Sequence, residues 1–141
     1  MSHVATIDCE ILSLDALKAA CDRLGLSFQD GQSTYAWYGK FIGDYPLPEG
    51  FTVADLGHCD HAIKVPGARY EVGVVFRDGK YSLMWDFWRD GGLEEQLGPN
   101  GQKLAQAYAI EAAKLEAQRQ GFSTFEEPLA DGAIKLHVEV A

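Results

Sequence analysis

Residues 70–88 constrain the fold more than any other stretch, because they hold two alternating apolar runs around a single Asp-Gly dipeptide. Asp78-Gly79 is the pair that a type I′ turn favours, so the two runs form a β-hairpin with a two-residue loop. A loop of that length sets the register. Phe76 then faces Tyr81, Val74 faces Leu83, Val72 faces Trp85 and Tyr70 faces Phe87. Side chains alternate along a strand, so these apolar and aromatic residues share one face. The opposite face sets Glu71, Gly73, Val75 and Arg77 against Asp86, Met84, Ser82 and Lys80, and its composition marks it as mostly wettable. A one-residue slip would turn the aromatic face to water, so the register is strongly specified.

The flanking segments supply partners for this hairpin. Residues 4–11 alternate, with Ala5, Ile7, Cys9 and Ile11 against Thr6, Asp8 and Glu10, the pattern of a half-buried strand. Ser13 then caps a helix whose Leu14, Leu17, Cys21 and Leu24 recur at helical spacing, and Gly25 stops it. Residues 26–29 read as a short strand, and residues 34–38 are β-prone by composition. Residues 41–50 hold two prolines and several aromatics, which predicts a long surface loop. A strand follows at residues 62–65, and Pro66-Gly67 turns the chain into the hairpin. Arg89-Asp90-Gly91-Gly92 breaks the sheet. A second helix spans about residues 101–120 with Leu104, Tyr108, Ala112 and Leu115 as its buried stripe, and Gly121 closes it. A last hairpin turns at Asp131-Gly132, with Ile134, Leu136, Val138 and Val140 directed inward.

These elements predict an α+β fold: a single domain over residues 1–141, with one antiparallel sheet of five to six strands and two helices on one face. The length of 141 residues and a 47% hydrophobic composition suit one such core. Cys9, Cys21 and Cys59 cannot all pair, and no basic-then-apolar leader opens the chain, so reduced thiols in a cytoplasm are expected. No apolar run has the length of a membrane span. A formal charge of −9 opposes binding to nucleic acid or to an anionic membrane.

Several segments occur in an order that resembles a known family. They are the Met1-Ser2-His3 start, the strand-helix opening with Asp15-Ala16-Leu17-Lys18-Ala19, and the Tyr70-Glu71-Val72-Gly73-Val74 arm. The Leu83-Met84-Trp85-Asp86-Phe87-Trp88 arm, the Gly121-Phe122 restart and the closing Asp131-Gly132 turn follow. Together they are similar to the uncharacterised "hypothetical chloroplast open reading frame" family of cyanobacteria and plastids, which has bacterial and phage members. The similarity covers nearly the whole chain, with residues 39–60 longer than in the plastid members. It implies the fold and a soluble location and assigns no activity.

Candidate chemistry concentrates in four places. His58, Cys59 and His61 are residue types that hold zinc or another borderline metal, with Asp44, Asp55 and Asp60 as oxygen donors nearby. No cofactor is expected, with a transition metal such as zinc as the alternative, and Cys59 beside a histidine is also the outline of a thiol nucleophile. The plainer reading is a loop whose histidines cap backbone groups. Second, a retained Met1 would let His3 complete a square-planar copper or nickel chelate through the amine and backbone nitrogens. Third, Glu71 and Asp86 fall opposite one another, so the pair needs a cation, a proton or water between them, or serves as acid and base. Fourth, Tyr35, Trp37, Tyr38, Phe41 and Tyr45 form either a recognition surface or a small core under their loop. No phosphate-cradling glycine motif and no basic stripe is present. The resulting expectation is a non-catalytic binding or adaptor protein that uses the aromatic-proline loop to meet a protein partner or a second copy. A metal or thiol enzyme at His58, Cys59 and His61 is the alternative.

Overall fold

A computed structural model describes residues 2–140. The hairpin is present as read: β4 (Glu71–Arg77) and β5 (Lys80–Asp86) pair antiparallel, with Val74 opposite Leu83 and Phe76 opposite Tyr81. Asp78 and Gly79 have φ of 52° and 80°, the two positive angles that a type I′ turn demands. Three further strands complete a five-stranded antiparallel sheet: β1 (Val4–Ile11), β2 (Ser27–Gln29) and β3 (His61–Lys64), in the order β1-β5-β4-β3-β2. The edge strands β1 and β2 therefore run parallel, and the helix between them must cross the whole sheet.

That helix is α1 (Leu14–Leu24). The Ser13 hydroxyl accepts from the Ala16 N–H at 3.1 Å, and Gly25 ends the helix at φ 72°. Two more helices share its layer, α2 (Leu93–Leu97) and α3 (Gln102–Arg119). The Tyr108 hydroxyl on α3 accepts from the Leu12 and Ser13 N–H groups at 2.9 and 3.2 Å, fixing α3 to the β1–α1 junction. The helix-side core gathers Ile7, Ile11, Leu17, Cys21, Ile63, Val72, Val74, Leu83, Trp85, Leu93, Leu97 and Leu104. It is the face that the register assigned to the apolar residues. Only the hairpin tip escapes, where Phe76 stays half exposed against Tyr81.

Four differences from the sequence expectation have physical reasons. The second face of the sheet is not wettable: Val4, Ala62 and Met84 are buried there under Tyr35 and Leu56, with Trp37, Phe41, Leu47, Phe51, Cys59 and Val75 packed around them. Residues 30–60 form that cover, so the sheet is buried on both sides. Residues 34–38 join no strand; Thr34 makes an isolated bridge to His58. Among the described residues the α-helices number three, because α2 is a short turn tucked behind the Arg89–Gly91 3₁₀ turn. Finally, the last hairpin, β6 (Ser123–Pro128) with β7 (Ile134–Glu139), is a separate two-stranded sheet. It lies outside α1 and α3, held by Arg23, which binds Glu111 on α3 and Glu126 on β6 at 3.0 and 2.8 Å. Val138 and Val140, expected to point inward, are exposed because no sheet lies beneath them.

Candidate functional site

The cover over residues 30–60 is pinned to the sheet by two carboxylates. Asp86, fully buried, accepts through Oδ1 from the His3 and Trp88 N–H groups and through Oδ2 from the Tyr38 N–H, each at 3.0 Å. Glu71 Oε1 accepts from the Ala36 N–H at 2.9 Å and the Gln32 amide at 3.0 Å. A carboxylate is an acceptor with four lone-pair sites, so one side chain can satisfy several stranded donors. The Glu71 and Asp86 side chains thus tie the loop and the residues before β1 to the sheet. Both Asp86 oxygens and one Glu71 oxygen thus take N–H donors, which helps to accommodate two like charges in neighbouring strands.

Glycine supplies the space for this cover. A Cβ at Gly73 would lie 2.3 Å from the Tyr35 ring, so the ring rests flat on bare backbone. The adjoining loop is held by Arg77, which binds Asp55 at 3.1 Å, donates to the Gly50 carbonyl and lies 3.9 Å over the Phe51 ring.

The aromatic residues singled out in the sequence divide accordingly. Tyr35, Trp37 and Phe41 pack into the second core. Tyr38 and Tyr45 stay exposed, at 45% and 38%. Tyr38 joins Trp37, Tyr70 and Trp88 around an open groove of about 450 Å³ with Arg69 and Asp90 at its rim. The Tyr70 ring lies against Gly91, where a Cβ would approach it to 2.0 Å, and the Arg69 and Tyr70 N–H groups both bind the Gly91 carbonyl, at 2.8 and 3.2 Å. Tyr45 belongs to a second recess, at the free edge of β1. The His3 ring separates the two, edge-on to Trp88 at 5.2 Å and 5.5 Å from Tyr45, with Nε2 2.9 Å from Asp44. Met1, which a copper chelate at His3 would require, lies outside the described residues.

The histidine-cysteine segment is split by the sheet. His61 sits at the start of β3 on the helix side, 5.3 Å from Phe28 and 6.0 Å from Tyr81, with Nδ1 accepting from the Gly31 N–H at 3.0 Å. Cys59 packs on the other side, its thiol donating to the Gln32 carbonyl at 3.2 Å, and burial pushes its pKa up to about 11. His58 is exposed beside it on a shallow hollow with Asp55, Asp60 and Arg77. Among the described residues no three His, Cys, Asp or Glu side chains gather as metal ligands. Also among the described residues, no helix is long and apolar enough to cross a membrane.

Sequence reasoning missed Arg69, Tyr70, Trp88 and Asp90 as lining residues. The only signal for them was position: they flank the hairpin on both sides, so its ends bring them together.

Fold and site together define a small α+β protein with a sheet covered on both faces and two aromatic recesses along its rim. Among known proteins, the chain is similar to the uncharacterized protein ycf35 of Cyanophora paradoxa, with 28% identity over 143 aligned residues that cover 99% of this chain and 97% of that one. The similarity is a full-length one to an uncharacterised chloroplast open reading frame, as the ordered motifs implied. No protein-family model matches the chain, and no solved structure matches it.

Proposed function

We propose that this protein is a non-catalytic binding module whose recognition surface is the groove formed by Trp37, Tyr38, Tyr70 and Trp88. The observation that carries the proposal is Tyr38. Its backbone is fastened to a buried carboxylate, yet the residue remains 45% exposed. A large exposed ring on a fixed backbone loses little conformational freedom on binding, which is what makes aromatic residues effective anchors. Neighbouring rings with gaps between them suit an extended, proline-containing segment of a partner protein. Arg69 makes no ion pair among the described residues, and it would favour a segment with an acidic residue.

Selection of peptides from a displayed random library on the immobilised protein tests this reading. The expected result is enrichment of proline- and acid-containing sequences, whose binding falls at least tenfold in Tyr38→Ala and Arg69→Ala, each worth about 1.4 kcal/mol or more at a hot spot. Both residues are exposed, so folding should survive, and a circular dichroism melt checks that. A library that yields no enriched sequence, or peptides indifferent to both substitutions, removes the proposal. Sedimentation across a concentration series tests the other partner class, a second copy.

A further inference from the structure

The second recess has a different chemistry. It is a cleft of about 560 Å³ at the free edge of β1, lined by Ala5, Thr6, Asp8, Tyr45, Trp85, Phe87, Glu94 and Asn100. Its apolar wall is Tyr45, edge-on to Phe87 at 5.0 Å, backed from the core by the buried Trp85 ring 6.2 Å from Phe87. Its ionisable groups are both acidic. Asp8 and Glu94 come from separate elements, β1 and α2, and neither makes an ion pair among the described residues. The chain around them carries a formal charge of −9, so the field at the mouth attracts cations.

We propose that this cleft is a binding site for an alkylammonium group, seated on the Tyr45 and Phe87 rings with Asp8 and Glu94 as its counter-ions. An ammonium over ring faces gains from their quadrupoles, and the gain grows when the walls exclude water. Two carboxylates in the lining of such a cleft strengthen the preference for a cation over a neutral group of the same shape. A free small amine and a lysine side chain on another protein present the same chemistry. The site does not depend on the groove at Tyr38, so either assignment can fail without the other.

The test is a titration monitored by amide shifts in a 15N-labelled sample, with choline and N-acetyl-lysine methylamide as probes. The neutral analogue 3,3-dimethylbutanol serves as control. The expected result is saturable shifts at Thr6, Asp8, Glu94 and Asn100 with a cationic probe and none with the alcohol. Tyr45→Leu, which keeps apolar bulk but removes the ring, should weaken binding about tenfold, from a cation–π gain near 1.4 kcal/mol. The exposed double variant Asp8→Asn/Glu94→Gln should weaken it at least as much while leaving the thermal melt in place. Binding of choline alone identifies a free small cation as the ligand class, and binding of the lysine derivative alone identifies a partner's side chain. No saturable shift with either cation, equal binding of the alcohol, or cation binding that ignores both variants overturns the proposal.

Discussion

Asp86→Asn is the most informative single change in the molecule. The wild-type carboxylate accepts three backbone N–H groups, two at Oδ1 and one at Oδ2, in a site with no solvent exposure. An asparagine keeps one acceptor oxygen. If that oxygen stays with His3 and Trp88, the amide –NH₂ faces the Tyr38 N–H, donor against donor. A donor stranded in this way costs about 1–3 kcal/mol, and bonds to a charged acceptor lie at the upper end of that range. We therefore expect a loss of about 2 kcal/mol in urea unfolding, with the slope unchanged because the exposed surface is unchanged. The damage should be local first. Hydrogen exchange at the Tyr38 amide should accelerate about thirtyfold, the same 2 kcal/mol expressed as an opening constant. Exchange in the middle of α3, which touches none of these groups, should follow only the global loss. An Asp86→Asn protein with wild-type stability and an unchanged Tyr38 amide would refute the claim that this carboxylate holds the cover in place.

Three further outcomes follow from particular contacts. Gly73→Ala should cost more than about 2 kcal/mol, because its Cβ would sit 2.3 Å from the Tyr35 ring and the cover must lift; calorimetry reads the loss, and a wild-type melt would contradict it. Glu126 is held down to a pKa of about 2 by its hydrogen bonds to Arg23 and Lys114. Its folded value lies below its unfolded one, so its contribution is complete above about pH 4.5 and is lost as pH falls toward 2; a carboxyl NMR titration should show the low midpoint, raised in Arg23→Ala. Burial raises the pKa of all three thiols, to about 12 at Cys21 and about 11 at Cys59, so the native protein at pH 8 should react with a disulfide reagent more slowly than a free thiol, and the unfolded protein should release three equivalents.

The legible part of the fold was local. The Asp78-Gly79 turn, the Ser13 cap and the Gly25 stop each act within a few residues, and their side chains declare it. The helix-side core followed from alternation alone. The second face was illegible for the opposite reason. Tyr35 rests on Gly73, 38 positions later in the chain, and no periodicity reports a contact of that span. Residues 34–38 have strand composition, but their donors go elsewhere: Tyr35 N–H to the Gly57 carbonyl, Ala36 N–H to Glu71, Tyr38 N–H to Asp86. With its N–H groups taken by side chains and a loop, the segment cannot join a ladder. The five residues of α2 are too few for a helical period to show. The alternation of β7 was read as a buried face, yet alternation says only which residues share a side. Whether anything lies under that side is a matter of topology, and Val138 stays half exposed. Of the candidate site, the sequence named the aromatic residues but could not divide them between core and rim.

The groove at Tyr38 exists only if residues 30–60 form a fixed layer over the sheet, and 15N relaxation measures that directly. The account predicts order parameters of about 0.85 for the amides of Tyr35, Trp37, Tyr38 and Leu56, matching the strands beneath them. Values below ~0.6 there, beside a rigid sheet, would mean that the layer is a mobile strap and would contradict the account.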